Sequence, residues 1–262
     1  MRIARFKTKD GAVHYGVIRD DSIFLIKGDI LGDGKETSRK VPLRDVKLLA
    51  PIVPPNILAL GVNYKAHAEE GGSSAPKAPA LFIKATSALN DPGGPILLPK
   101  LAPTQIDYEA ELAVIIKKAA RHVARDQALD VVLGYTCAND VSARDCQRND
   151  LQWARAKSFE TFAPLGPWIE TDLDPTNRNI CSRLNGKIMQ QSNTSLMIFD
   201  VAYVIHYLSQ CMTLLPGTVI ITGTPAGCGF AQNPPVWLKP GDVIEVEIDG
   251  IGVLSNPVVA ET

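Results

Sequence analysis

Glu109 and Glu111 stand two positions apart in the run Asp107-Tyr108-Glu109-Ala110-Glu111-Leu112-Ala113-Val114-Ile115-Ile116. The second half of that run is apolar and β-branched, so it reads as a strand entering a core. Side chains alternate faces along a strand, so the two glutamates point the same way and repel each other unless something positive lies between them. A second strand over residues 131–138 ends at Asn139-Asp140, and Ser142-Ala143-Arg144-Asp145 then matches Ser-x-x-Asp, a helix-start signal. Asp140 thus falls at a strand-to-helix turn, free to aim its carboxylate at the glutamate pair. Three carboxylates with no His or Cys cluster beside them suit a hard divalent cation, with water in the remaining octahedral positions; Mg²⁺ is the first choice and Mn²⁺ the second.

A Glu-x-Glu on a strand is ordinarily a solvated face. What changes the reading here is the sequence just downstream, which supplies Arg144, Gln147 and Lys157. Cations and an amide donor so close behind an acidic cluster suggest a metal site with an anion-binding wall. Glu245 and Glu247 provide an internal control. They alternate with apolar residues in 243–248, have no such downstream set, and read as the wet face of a strand.

The chain of 262 residues is 45% apolar and 21% charged, enough for one large domain, or one plus a small appendage. A formal net charge of −1 gives no reason to expect nucleic acid or a membrane surface as partner, and no apolar run reaches spanning length. The N-terminus enters an alternating strand directly, without a secretory apolar segment. Five cysteines (137, 146, 181, 211 and 228) are dispersed with no Cys-x-x-Cys, which reads as reduced thiols in a cytoplasmic protein.

Residues 3–7, 13–19 and 23–27 read as a β meander with turns at Asp10-Gly11 and Asp20-Asp21, and Gly28 to Lys40 as an exposed loop. Prolines 42, 51, 54 and 55 place a boundary near residue 50, giving a small β domain over 1–50 and the main domain over 51–262. The main domain opens on Ile57-Leu58-Ala59-Leu60. His67 and Glu70 follow, three apart and so neighbours on one helical turn; they are tethered by Gly71-Gly72-Ser73-Ser74 and together look like a mobile lid. On residue type alone, a surface helix with an idle His and Glu is the plainer reading. Lys84 ends an apolar strand and either snorkels to solvent or holds a substrate carboxylate. The stretch 162–169, stiffened by Pro164 and Pro167, suggests a buried loop of fixed shape. Residues 180–191 form a hairpin turning at Asn185-Gly186, and 199–211 carry helical spacing with Asp200 at the start. Thr222-Gly223-Thr224-Pro225-Ala226-Gly227-Cys228-Gly229 closes a strand with glycines that let a ligand approach backbone, Thr224 offering its hydroxyl. It lacks the Gly-Lys-Ser/Thr of a nucleotide loop.

Taken together, these pieces resemble the fumarylacetoacetate hydrolase family over about 56–257. The resemblance is carried, in order, by Gly61-Val62-Asn63-Tyr64-Lys65-Ala66-His67, Leu81-Phe82-Ile83-Lys84, Asp107 to Ala113, Asn139 to Asp145, Lys157-Ser158-Phe159 and Thr222 to Gly227. The 162–167 run and the N-terminal β segment are similar to the small prokaryotic hydrolases and hydroxymuconate isomerases and to the branch that includes mitochondrial oxaloacetate tautomerase. The resemblance implies an α+β, β-rich fold: a mixed β-sandwich roll with short helices plus a small N-terminal β domain, assembled as a homodimer. It implies Mg²⁺ or Mn²⁺ on Glu109, Glu111 and Asp140, and a His67–Glu70 dyad on a lid that orders with substrate. Lys84, Arg144, Gln147, Lys157 and Thr224 would form the substrate wall. The longer members carry an extra aspartate ligand in the segment matching 61–67, where this chain has none; that favours smaller 2-oxo acids over fumarylacetoacetate.

A 2-oxo acid can chelate a cation through its carboxylate and 2-oxo oxygen, and the cation then offsets the charge formed when a proton or a carbon leaves C3. Lys157 would offset substrate charge, and His67, polarised by Glu70, would serve as general base. The expected activity is oxaloacetate keto–enol tautomerisation. Acylpyruvate-type C–C hydrolysis or oxaloacetate decarboxylation comes second, hydroxymuconate isomerisation third, and a non-catalytic binder of 2-oxo acids is the reading from another class.

Overall fold

A computed structural model describes residues 1–262. The N-terminal meander is built from β1 (Arg2–Lys7), β2 (Val13–Arg19), β3 (Ser22–Lys27), β4 (Lys35–Pro42) and β5 (Lys47–Leu49). The segment expected as loop over 28–40 is loop only as far as Gly34: β4 pairs antiparallel with β3 and forms the exposed edge of the sheet. Its charged and hydroxyl residues suit an edge, where charge discourages pairing with another chain.

The rest of the chain gives β6 (Ile57–Gly61), α1 (Lys65–Glu70), β7 (Ala80–Lys84), β8 (Leu89–Asn90), β9 (Ile96–Leu98), β10 (Ile106–Asp107), β11 (Ala110–Ile116), β12 (Val132–Asn139) and β13 (Ser142–Ala143). Next come α2 (Arg144–Asn149), α3 (Ala154–Lys157), β14 (Ala163–Glu170), β15 (Asn179–Leu184), β16 (Lys187–Asn193), α4 (Val201–Cys211), β17 (Val219–Ile221), β18 (Val243–Ile248) and β19 (Gly252–Ala260). The main sheet runs β4-β3-β2-β1-β14-β12-β11-β17-β6-β7, and a second runs β16-β15-β18-β19-β9. Hydrogen bonding does not stop at residue 50, because β1 pairs with β14 through Arg2↔Glu170 and Ile3↔Ile169. The stretch 162–169, expected as a loop, is mostly the strand β14. Pro167 falls where its pairing with β12 shifts register between Tyr135 and Cys137, while Pro164 pairs in parallel with Asn90 of β8.

β11 is buried along its whole length. Leu112, Val114 and Ile116 pack into the core shared with α4 (Val204, Ile205, Leu208) and the second sheet (Val246, Ile248, Leu254). Ala113 and Ile115 face the other core, with Ile57, Ala59, Phe162 and Leu165. Two covered faces explain the near-continuous apolar run. The hairpin turn at Asn185-Gly186 has both residues at positive φ, as its type requires. α4 starts at Asp200, whose carboxylate accepts the Tyr203 N–H. No helix is long and apolar enough to cross a membrane.

Candidate active site

Register builds the centre. Ala110 pairs with Asn139 and Glu111 with Ala138. One step further, Asp140 N–H donates to the Glu109 carbonyl at 2.9 Å, while Asn139 Oδ1 accepts the Glu109 N–H at 3.0 Å. Asp140 is thereby set opposite Glu109, and carboxylate oxygens of Glu109, Glu111 and Asp140 lie within 4.8 Å of one another. The Ser142 hydroxyl, expected to cap the following helix, instead donates to the Asp140 carbonyl at 2.8 Å and pins the turn. α2 begins at Arg144 with no side-chain cap.

Three cations close on these acids. Lys157 Nζ donates to Glu109 Oε2 at 2.7 Å and Asp140 Oδ2 at 2.6 Å. Lys84 Nζ donates to the other Asp140 oxygen and to the Val141 carbonyl. Arg144 is held by Asp107 Oδ2 at 2.8 Å and stands 2.7 Å from Glu109 Oε1. Lys84, Asp107, Glu109, Glu111, Asp140, Arg144 and Lys157 are the chain's only buried Asp, Glu, Lys and Arg residues, so every buried charge of these types lies in one cluster. Four carboxylates face three cations there, which leaves one negative charge in excess.

The imbalance is felt most at Glu111, which is pushed toward its neutral form. Burial, then the neighbouring Asp140 and Glu109 charges, push its carboxyl well above the usual range, and its one hydrogen bond comes from the Gly223 N–H. Glu109 goes the other way. Burial opposes ionisation, but Lys157, Arg144 and His67 outweigh it and lower its pKa. Burial depresses Lys84 despite Asp140, whereas for Lys157 the carboxylates of Asp140 and Glu109 overcome burial and raise it.

The snorkelling expected of Lys84 does not occur. It is fully buried against Asp140, outside the cavity that Glu109, Glu111, Arg144 and Lys157 line. Lys84→Met would strip a buried carboxylate of one of its two cations, and is expected to destabilise the fold by about 3–5 kcal/mol. Urea unfolding checks it; a change under about 1 kcal/mol would contradict the pairing.

The cavity leaves about 40 Å³ for water-sized occupants, well below the usual range for ligand pockets. Its polar wall is His67, Glu109, Glu111, Arg144, Gln147, Lys157 and Thr224, and its apolar wall Leu60, Val62, Phe82 and Trp153. Gln147 uses its oxygen on Arg144 at 2.9 Å, which leaves its amide donors for the cavity. Thr224 spends its hydroxyl proton on the Ala110 carbonyl and accepts from Gln190, so toward a ligand it offers an oxygen rather than a donor.

His67 and Glu70 are brought together: Nδ1 lies 2.8 Å from Glu70 Oε1, and Glu70 Oε2 accepts the Gly227 N–H at 2.8 Å. The pair is mostly covered rather than at an open surface. The Gly71–Ser74 tether is a helix cap in this structure, with Ser73 N–H on the Ala68 carbonyl. Nδ1 is occupied by Glu70, while Nε2 has no protein partner.

Sequence reasoning gave no role to three residues that shape the site. Asp107 orients Arg144 and accepts the Gly229 and Phe230 N–H groups. Gln190, fully buried, ties Thr224, Ala110, Ser182 and Pro225 together. Trp153 lies so close over Gly61 that any Cβ there would stand 2.3 Å from its ring. Asp107 had a signal, sitting inside the acidic motif; the other two are tertiary facts.

A strand-rich roll that closes an acidic cluster and a His–Glu pair around one small cavity has close parallels among known proteins. Residues 56–259 match the family described as fumarylacetoacetate (FAA) hydrolase, C-terminal, and residues 1–51 match "Rv2993c-like, N-terminal". The mitochondrial oxaloacetate tautomerase fahd2 of Xenopus laevis is 45% identical over 221 residues, covering 82% of this chain and 69% of that one. The 5-carboxymethyl-2-hydroxymuconate delta-isomerase of Mycobacterium smegmatis superposes with a TM-score of 0.91 at 42% identity, over 100% of both chains. The 2-hydroxyhepta-2,4-diene-1,7-dioate isomerase of Mycobacterium marinum gives 0.90 at 41% identity, over 100% of this chain and 99% of the other. The fold is that of a fumarylacetoacetate hydrolase-type enzyme. The chain belongs to the fumarylacetoacetate hydrolase family.

Proposed function

We propose that this enzyme moves a proton at C3 of a small 2-oxo acid in a divalent-metal-dependent site, with oxaloacetate keto–enol tautomerisation as its leading activity. The observation that carries the reading is a proton carrier, His67 with Glu70 behind it, lining the same small cavity as a buried acidic cluster that has one more carboxyl group than it has cations.

The cluster fits a hard cation. Its donors are all carboxylate oxygens, Glu111 has no side-chain cation of its own, and the buried Tyr64 Oη, near enough to feel the Glu111 charge, has no protein partner. Glu109, Glu111 and Asp140 would hold Mg²⁺ or Mn²⁺, which when bound supplies a Lewis acid for the negative charge that develops on the 2-oxo oxygen. Lys157 Nζ and the Gln147 amide orient and offset the substrate carboxylate. His67 Nε2 takes the C3 proton and returns it to the oxygen or the carbon, and Glu70 stabilises the imidazolium that forms between these steps. The apolar wall excludes water from the reacting carbon. That the X. laevis relative is named an oxaloacetate tautomerase supports ranking this reaction first.

Leu60, Val62, Phe82 and Trp153 also favour a second reading, acylpyruvate-type C–C hydrolysis, because that wall accepts an acyl group as readily as a carboxylate. Oxaloacetate decarboxylation and hydroxymuconate isomerisation use the same electron sink and rank below. The five unpaired thiols support a reducing compartment, and the cytoplasm is proposed. A homodimer is part of the same proposal, to be read from the mass in solution.

The test follows the decay of oxaloacetate enol absorbance with purified enzyme and Mg²⁺. Acceleration over buffer that EDTA abolishes is the expected result. No acceleration together with cleavage of acetylpyruvate would replace the first reading by the second.

A further inference from the structure

His67 has more than Glu70 on its Nδ1 side. On its Nδ1 side stand Glu70 and the thiol of Cys228, with Sγ 3.9 Å from Nδ1. Donor atoms of His67, Glu70 and Cys228 all lie within 4.8 Å of one another. The group is preorganised. Gly227, at φ +105, is wedged against the Met189 carbonyl, and the next two N–H groups after Cys228 are held by Asp107. α1 is docked onto this loop by Glu70 Oε2 and the Gly227 N–H. Cys228 is fully buried, while the His67 and Glu70 side chains keep 11% and 17% exposure, so the group is not sealed from solvent.

We propose that His67 Nδ1, Glu70 Oε1 and Cys228 Sγ form a second metal site, for a thiophilic cation of the Zn²⁺ class, and that filling it silences the proton carrier. One nitrogen, one carboxylate and one sulfur, with the fourth position left to water, is a tetrahedral zinc donor set. Bonds of roughly 2.0–2.3 Å about a tetrahedral ion put donors about 3.3–3.7 Å apart. The observed 3.9 Å and 2.8 Å separations meet that with shifts of about half an ångström. The soft sulfur separates this site from the all-oxygen cluster, which selects a harder ion. Binding is redox-neutral. The Cys228 thiol releases its proton to solvent, and the imidazole proton leaves Nδ1, where the metal binds, for Nε2. A protonated Nε2 cannot accept a proton from substrate. The metal site itself does not depend on the proposed function; only its inhibitory consequence rests on that reading.

The experiment is a Co²⁺ titration of the full chain held in saturating Mg²⁺, compared with Cys228→Ser. The wild type is expected to gain, at one equivalent, a near-ultraviolet sulfur-to-cobalt charge-transfer band that Zn²⁺ displaces and C228S lacks. An unchanged Mg²⁺-induced thermal shift in C228S confirms that the variant is folded. No band, or the same band in C228S, overturns the site. In a parallel assay with Mg²⁺ in excess, Zn²⁺ should inhibit wild type at concentrations at least tenfold lower than C228S, each relative to its own zinc-free rate. Equal inhibition of both would place zinc in the carboxylate cluster and overturn the silencing. A cysteine-dependent band without inhibition would keep the site and sink His67 as the proton carrier.

Discussion

Glu111→Gln is expected to make the metal-free protein more stable and the enzyme nearly inert. Glu111 is the carboxyl group of the cluster with no side-chain cation of its own, and burial with Asp140 and Glu109 alongside raises its pKa in the folded state. A raised carboxyl pKa means that the folded state holds the proton more tightly than the unfolded chain does. Stability is therefore lost as pH climbs above the ordinary glutamate range toward the folded value. Glutamine removes that loss. In EDTA at pH 8 the variant should exceed wild type by about 1–3 kcal/mol, with the gap closing toward pH 5. Saturating Mg²⁺ should reverse the order, since wild type gains about 2.7 kcal/mol at a hundred times its dissociation constant and a variant without the third carboxylate gains little. Turnover should fall by about 10²–10³. Thermal unfolding at both pH values, with and without Mg²⁺, checks the signs. A variant that is less stable in EDTA yet keeps the full Mg²⁺ shift would contradict the assignment.

His67→Ala separates proton transfer from metal binding. The ring touches Glu70, Cys228 and the edge of Phe230, and none of the three carboxylates of the cluster is its hydrogen-bond partner. Its removal should cost about 1 kcal/mol of stability, the worth of one hydrogen bond on a short helix. The Mg²⁺-induced thermal shift should persist, while kcat falls by about 10²–10⁴ with KM little changed. A non-catalytic binder would keep its affinity for oxalate and have no turnover to lose. Activity within about threefold of wild type would remove His67 from the mechanism.

The acids of this site were legible in the sequence because strand geometry is local. Glu109 and Glu111 share a face by alternation, and an apolar run that stops at Asn139-Asp140 delivers Asp140 to the strand end, so the β11–β12 register does the rest. Asn185-Gly186 and Asp200 were legible for the same reason, each acting within a few residues of itself. What escaped is set by distant partners. Lys84 looked like a residue that reaches solvent because its partner, Asp140, lies 56 positions away. β4 escaped since an edge strand needs only one apolar side and its charges mimic a loop. β14 escaped because two prolines mask pairing that its neighbours β12, β1 and β8 supply. Ser142 was misplaced as a cap because its hydroxyl competes for a nearer carbonyl, that of Asp140.

The most direct measurement of the central claim is a crystal structure of the enzyme with Mn²⁺ and oxalate, read by anomalous scattering at the manganese edge. The account predicts one strong peak bounded by carboxylate oxygens of Glu109, Glu111 and Asp140, with oxalate against it and His67 Nε2 facing the ligand. An absent peak, or one held by other residues while the three acids keep only lysine and arginine partners, would contradict it.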